Sequence, residues 1–411
     1  MTPRFPCLLF ALSAFFAANL PSLVSASTPR SAENQVFQWH ASAESAPWPD
    51  GSVHRASLYL WIPETTTRVR GVVVMATNVP EHMLVGHAAI RRACAENDLA
   101  LAWGVPSFWR FGKAAPAPGA EPVDVKKLPG SDALQVAFLE KLLAALADKS
   151  GYDELAAAPW LPVGESGHLL MVCGLIDARP ERVIAGICVK NPHSPRNKTV
   201  PLLWTLGTGQ EWGQTKSDLR ETHVTNFSGY PSWARDRAAA GWPLSVVIEP
   251  GTGHFACSDA LAEYFGRYIS ATCRARLSAD GTPALKPMDL AAGVLAHLPL
   301  PGQTDLAVLP YPESTDTPAL RARPWFFGAT LAREAQSLAS APWDAAPQFV
   351  LFASEDPGVK IEPFALNSVT KITVATDGEF TVRAELADAI PAPFVGAGAP
   401  LARAAGEPLV E

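Results

Sequence analysis

The segment richest in chemistry is Leu161 to His168, LPVGESGH. An apolar stretch precedes Ser166 and another follows it, so the serine is expected at a sharp turn between a strand and a helix. Such a turn is tightly packed and needs small residues close to the serine. Gly164 stands two positions before Ser166 and Gly167 directly after it, while His168 takes the position two after, where glycine is usual. This arrangement would push the Ser166 hydroxyl out at the carboxyl edge of a sheet. It would also aim the Gly167 amide, at a helix N-terminus, toward the same spot. Two polar loops follow later strands: Gly207-Thr208-Gly209-Gln210-Glu211-Trp212 and Pro250-Gly251-Thr252-Gly253-His254-Phe255.

A serine, a carboxylate and a histidine, each in a loop after successive strands, follow the chain order of a well-known triad. In this the chain resembles the α/β-hydrolase superfamily over roughly Gln35 to Arg276, most specifically in GESGH and PGTGHF. The resemblance implies Ser166 as nucleophile and His254 as the base that takes its proton and later protonates the leaving alcohol. It also implies a carboxylate that fixes the tautomer of His254 and stabilises its imidazolium. Glu211 is the choice for that carboxylate. It stands one residue out of the commonest register, and Asp218 and Glu221 in the same loop remain open. The oxyanion hole would pair the Gly167 amide with one from Thr77-Asn78-Val79, and Asn78 could add a side-chain donor. His168 either replaces the small residue on a roomier helix or faces the site.

Twelve tryptophans is a high number, and Trp103, Trp109, Trp212 and Trp233 fall in loops expected at the active edge. Flat aromatics stack on sugars and aryl groups, so they are candidate substrate contacts, together with His193 after a later strand. Core packing is the plainer explanation for most of the tryptophans.

The elements that must position these residues read as follows. Gln35 to Ala41 and His54 to Pro63 are expected strands, and Arg70 to Ala76 carries an apolar β-branched run suited to a central strand covered on both faces. Glu81 to Asn97 has helical spacing, and Leu99 to Trp103 is a short buried strand. Gly104 to Gly130 is a Pro/Gly/Ala-rich loop leaving the carboxyl edge, and Ser131 to Lys149 a helix with an apolar stripe. Trp160 to Val163, Arg182 to Val189, Val200 to Leu206 and Leu244 to Glu249 are expected strands. Leu169 to Ala178, Tyr230 to Ala240 and Asp259 to Thr272 are expected helices. This βαβ rhythm predicts a mostly parallel α/β-hydrolase sheet with flanking helices.

From about Leu277 the chain turns proline-rich and polar, then into short alternating runs at Gln348 to Ala353, Val369 to Ala375 and Glu379 to Leu386. Thr376-Asp377-Gly378 is expected as the hairpin turn between the last two. A small C-terminal antiparallel β domain is predicted, preceded by a helix at Ala329 to Ala339. Trp325, Phe326 and Phe327 are expected to form its apolar contact with the catalytic part. The domain division read from the sequence is 1–26, 27–280 and 281–411.

The chain has 411 residues, 48% hydrophobic and 18% charged, too long for one ordinary domain and too apolar for disorder. Its net charge of -7, without a run of lysine or arginine, gives no footprint for nucleic acid. Arg4, the apolar run Cys7 to Leu20 and the small residues Val24-Ser25-Ala26 have the plan of a secretory signal peptide. The protein is expected to be secreted or periplasmic, with no membrane association after cleavage. Cleavage leaves Cys94, Cys173, Cys188, Cys257 and Cys273, an odd, sparse set of which four lie in apolar stretches and read as buried hydrophobes, with one bridge left open. No Cys/His spacing fits a metal, and no cofactor is implied. The expected function is a serine hydrolase acting on a small-molecule or saccharide carboxylic ester. A serine peptidase and a non-catalytic binder on a degenerate hydrolase fold are the alternatives. The sequence leaves the oligomeric state open.

Overall fold

The computed structural model describes residues 37–48, 51–109, 131–190, 193–207, 241–249, 252, 255–298, 306–311, 323–340, 349–361, 372–374 and 381–387. The expected signal peptide, most of the loop 104–130 and the expected helix at 230–240 lie outside them.

Eight strands form one sheet: β1 (Trp39–Glu44), β2 (Arg55–Trp61), β3 (Gly71–Met75), β4 (Leu99–Val105), β5 (Trp160–Glu165), β6 (Gly186–Val189), β7 (Leu202–Gly207) and β8 (Leu244–Glu249). Their spatial order is β1-β2-β4-β3-β5-β6-β7-β8. The first three in that order pair antiparallel and the rest parallel, with Val73 opposite Leu101 on one side and Leu161 on the other. This is the predicted α/β-hydrolase sheet. All residues of β3, β5, β6 and β8 are buried, as runs covered on both faces must be. Edge strand β1 instead alternates buried and exposed positions.

The predicted helix over Glu81 to Asn97 is in fact two, α1 (Val79–Gly86) and α2 (Ala88–Glu96). Gly86 weakens the first, and His87 is extended between them, its Nδ1 accepting from Ala89 N at 3.2 Å. The other helices of the sheet are α3 (Ser131–Ser150), α4 (Leu169–Ala178) and α5 (Asp259–Arg276). The helix α2 packs on α5, whereas α3 packs on α4. The chain leaves β3 for α1 and α2, and leaves β5 for α4. The carboxyl ends of β3 and β5 therefore flank the point where connections diverge, where open α/β sheets bind ligands.

Beyond Arg276 a three-stranded antiparallel sheet forms from β9 (Val294–Ala296), β10 (Val308–Pro310) and β11 (Trp325–Phe326), followed by α6 (Ala329–Ala339). These elements pack on the main sheet. Helix α6 contacts β8 and α5, β11 contacts β8, and Ser245 Oγ donates to Trp325 O at 2.7 Å. Trp325 and Phe326 are buried, and Phe327 meets Tyr268 edge to face at 5.7 Å.

The expected hairpin turn Thr376-Asp377-Gly378 lies outside the described residues. β12 (Phe349–Ala353) pairs with β15 (Arg383–Ala387), and β13 (Val359–Ile361) pairs with β14 (Ile372–Val374). The segments on either side of residues 376–378 thus belong to different pairs. The strands not expected from the sequence are β9, β10, β11 and β13, of two or three residues each and too short to display a period.

Candidate active site

The turn after β5 has the conformation its sequence requires. Ser166 sits at φ +52°, in the left-handed region a serine rarely occupies, at a cost of about 1–3 kcal/mol. A 3-10 turn, Ser166–His168, leads directly into α4. The first amides of that turn, Gly167 N–H among them, have no acceptor within it and lie at the positive end of the helix. Ser166 and Gly167 are partly exposed, while Glu165 and His168 on either side are buried. Gly164 is needed for close approach, since a Cβ there would lie 2.5 Å from His168 O and 2.8 Å from its carbonyl carbon. Gly164→Ala is therefore expected to lower stability by about 1–3 kcal/mol, as overpacking does. A urea midpoint equal to the wild type would contradict this.

The loop after β3 faces this turn. Asn78 caps α1, its Oδ1 accepting from Val79 N at 3.0 Å, so the Val79 amide is already engaged. Asn78 Nδ2 donates to Glu165 Oε2, so its side chain serves the protein interior. The Asn78 N–H has no acceptor among the described residues, which leaves it open as a backbone donor, as is the Thr77 N–H beside it. Glu81, in the first turn of α1 and fully buried, accepts from Glu165 N at 3.0 Å and from His168 Nδ1 at 2.9 Å. The side chain of His168 is 3% exposed. The ring is turned inward onto Glu81.

A second buried polar cluster lies across the ends of β6, β7 and β8. Lys190, at φ +49°, has a side chain 0% exposed. Its Nζ donates to Glu249 Oε2 at 2.6 Å and to Thr252 Oγ1 at 2.7 Å. Its backbone N donates to Thr205 Oγ1 at 3.0 Å. Glu249 Oε1 accepts from the N–H of Ser258, whose Oγ in turn caps α5 by accepting from Leu261 N at 3.1 Å. Gly207 lets the loop pass, because a Cβ there would run into Thr252 O. The loop that carries His254 is thus tied at Thr252 to β6 and β8. Sequence reading missed this cluster, although two charged residues closing apolar runs (ICVK and VVIE) were visible.

Burial by itself would push the Glu249 carboxyl up, but the charge and hydrogen bond of Lys190 and the Ser258 N–H outweigh it. The carboxyl is held below the usual carboxylate range. A folded value below the unfolded one stabilises the fold fully above the ordinary carboxylate pKa, about 4.3. That stability is lost as pH falls through the lowered folded value. The unfolding free energy should accordingly decline more steeply with acid below about pH 4 in the wild type than in Glu249→Gln. Equal slopes in paired acid titrations would refute the assignment.

The candidate substrate residues divide. Trp103 lies within β4 rather than in a loop and is half-buried, with its Nε1 donating to Ala76 O at 3.1 Å and its ring 4.9 Å from that of His82. Trp109 is 2% exposed, its ring lying on Gly174 of α4 where any side chain would collide. Trp109 and His193 nonetheless meet on the wall of one cavity of about 160 Å³, with Asp132, Gln135, Leu170 and Asp177. Ser166 is not on that wall. Burial pushes the Asp132 carboxyl up, Arg196 pulls it back, and Asp177 adds to the rise. Glu211, Asp218, Glu221, Trp212, Trp233 and His254 lie outside the described residues. Among the described residues no cluster of His, Cys, Asp and Glu could hold a metal, and no helix is long and apolar enough to cross a membrane.

No family model and no curated protein matches the chain. Solved structures do. A bacterial heroin esterase is 16% identical, with 64% of this chain and 89% of that one covered and a TM-score of 0.33. The siderophore hydrolase EstA from Aspergillus nidulans is 11% identical over 56% of this chain and 94% of that one, with a TM-score of 0.39. An esterase domain from Rhodothermus marinus is 14% identical over 57% and 98%, with a TM-score of 0.31. The fold assignment rests on the strand order and the turn at Ser166 rather than on these likenesses.

Proposed function

We propose that this chain, which has the α/β-hydrolase fold, is an exported serine hydrolase that cleaves a carboxylic ester through an acyl-serine intermediate. The observation that supports this best is Ser166 itself, held left-handed at the apex between β5 and α4, with Gly164 making room beneath it. A strained residue costs stability wherever it stands, and such residues cluster where function needs them. In this reading His254 removes the hydroxyl proton as Ser166 attacks the ester carbonyl, and returns it to the departing alcohol. Water then repeats the sequence on the acyl-serine. The oxyanion is received by the Gly167 and Asn78 amides, and Glu211 orients His254. Residues 1–26 direct export. The tryptophan content favours an acylated carbohydrate or a phenolic ester as substrate.

A fluorophosphonate probe should label the purified protein at Ser166, and short-chain nitrophenyl esters should turn over faster than peptide anilides. Absence of labelling would leave a binding protein as the better account, and preference for anilides a peptidase. Glu211→Gln should lower kcat by about 10⁴-fold with little change in melting temperature. The same loss in Asp218→Asn or Glu221→Gln, with Glu211→Gln active, would move the acid to that residue.

A further inference from the structure

We propose that Glu81 is a positioning residue that fixes the two halves of the oxyanion hole relative to each other, an inference resting on the serine hydrolase reading above. The two amides in question come from chain segments far apart in sequence, Asn78 after β3 and Gly167 after β5. A pair of donors stabilises a developing oxyanion only if their separation is set beforehand, because a site that must reorganise loses the advantage. Three hydrogen bonds set it here, and all reach the residues bracketing Ser166 and Gly167. Glu81 Oε1 accepts from Glu165 N and from His168 Nδ1, and Asn78 Nδ2 donates to Glu165 Oε2. Glu81 and Asn78 sit within one turn of each other at the start of α1, so this helix end and the serine turn move as one piece.

Glu81 is an expensive choice for packing alone. It is 0% exposed, and its Oε2 has no partner among the described residues. A buried carboxylate with an oxygen left over costs more than an apolar side chain of the same size. What the carboxylate supplies is one acceptor that can take a backbone N–H and an imidazole N–H at once, on opposite sides of the nucleophile. His168, which stands where small residues are usual, is the second half of that device.

The test is a kinetic split. Glu81→Ala should lower kcat for a nitrophenyl ester, and the rate of fluorophosphonate labelling, by about 10²-fold with KM unchanged within about threefold. Affinity for a boronic acid that mimics the tetrahedral state should fall with kcat. Glu81→Gln keeps one acceptor oxygen and should recover most of the loss. A folded Glu81→Ala protein with wild-type kcat, or with its whole loss in KM, would overturn the proposal. Should Glu81→Ala not fold, Glu81→Asp keeps the charge and withdraws it by one methylene. Its kcat should fall with KM held, and a wild-type kcat overturns the proposal equally. A wild-type chain that neither labels nor turns over ester would instead sink the serine hydrolase reading, and this inference with it.

Discussion

Ser166→Ala is expected to abolish ester turnover, with kcat falling on the order of 10⁴- to 10⁶-fold, while the protein stays folded. The size follows from the chemistry. Without the hydroxyl no acyl-enzyme forms, and what remains is direct attack by water assisted only by the oxyanion donors. Stability should hold or rise slightly, because alanine at φ +52° inherits the same strain but removes a polar group from a crowded turn. The measurement is steady-state kinetics with a melting curve on the same preparation. Activity within about tenfold of wild type, in protein free of contaminating esterase, would end the assignment.

The largest expected loss of stability is at Lys190. Lys190→Met leaves the Glu249 carboxylate, its side chain 4% exposed, without a counter-charge. Breaking a buried pair from one side costs about 3–5 kcal/mol. The same carboxylate holds the Ser258 amide at the head of α5, so its disturbance reaches that helix cap as well. The double variant Lys190→Met/Glu249→Leu removes both charges and should regain most of the lost stability. Urea unfolding of the two singles and the double closes this cycle. Additive losses in the double variant would mean that the pair is not coupled.

The parts legible in the sequence were those with a local signature. β8 and α4 have the ends their apolar runs predict, Leu244–Glu249 and Leu169–Ala178, because nothing but burial decides them. The serine turn was legible because strain leaves its mark in neighbouring glycines. The break at His87 was not, since Leu84 and Val85 before it and Ala88 and Ala89 after it continue the apolar helical spacing across it. Nor were the partnerships of Glu81 with His168 and of Lys190 with Glu249. Each joins residues far apart in the chain, and only the fold brings them together. His168 is the instructive case: a departure from the usual small residue is explained by a glutamate 87 positions earlier in the chain.

The last strand of the sheet bears on what the elements after Arg276 do for this fold. Among the described residues β8 has no neighbour on its outer side within the main sheet, yet every one of its residues is buried. An open edge of that kind, apolar and straight, is a template on which a foreign strand can add its own row of peptide hydrogen bonds. The segment from β11 through α6 occupies that flank, anchored where Ser245 meets the Trp325 carbonyl. At the opposite end β1 has polar, solvent-facing positions, which make a poor seam for the same reason. The two margins are thus guarded by different means, a covering helix on one and a hydrophilic hem on the other. The elements after Arg276 thereby cover the margin at which strand-by-strand polymerisation would begin.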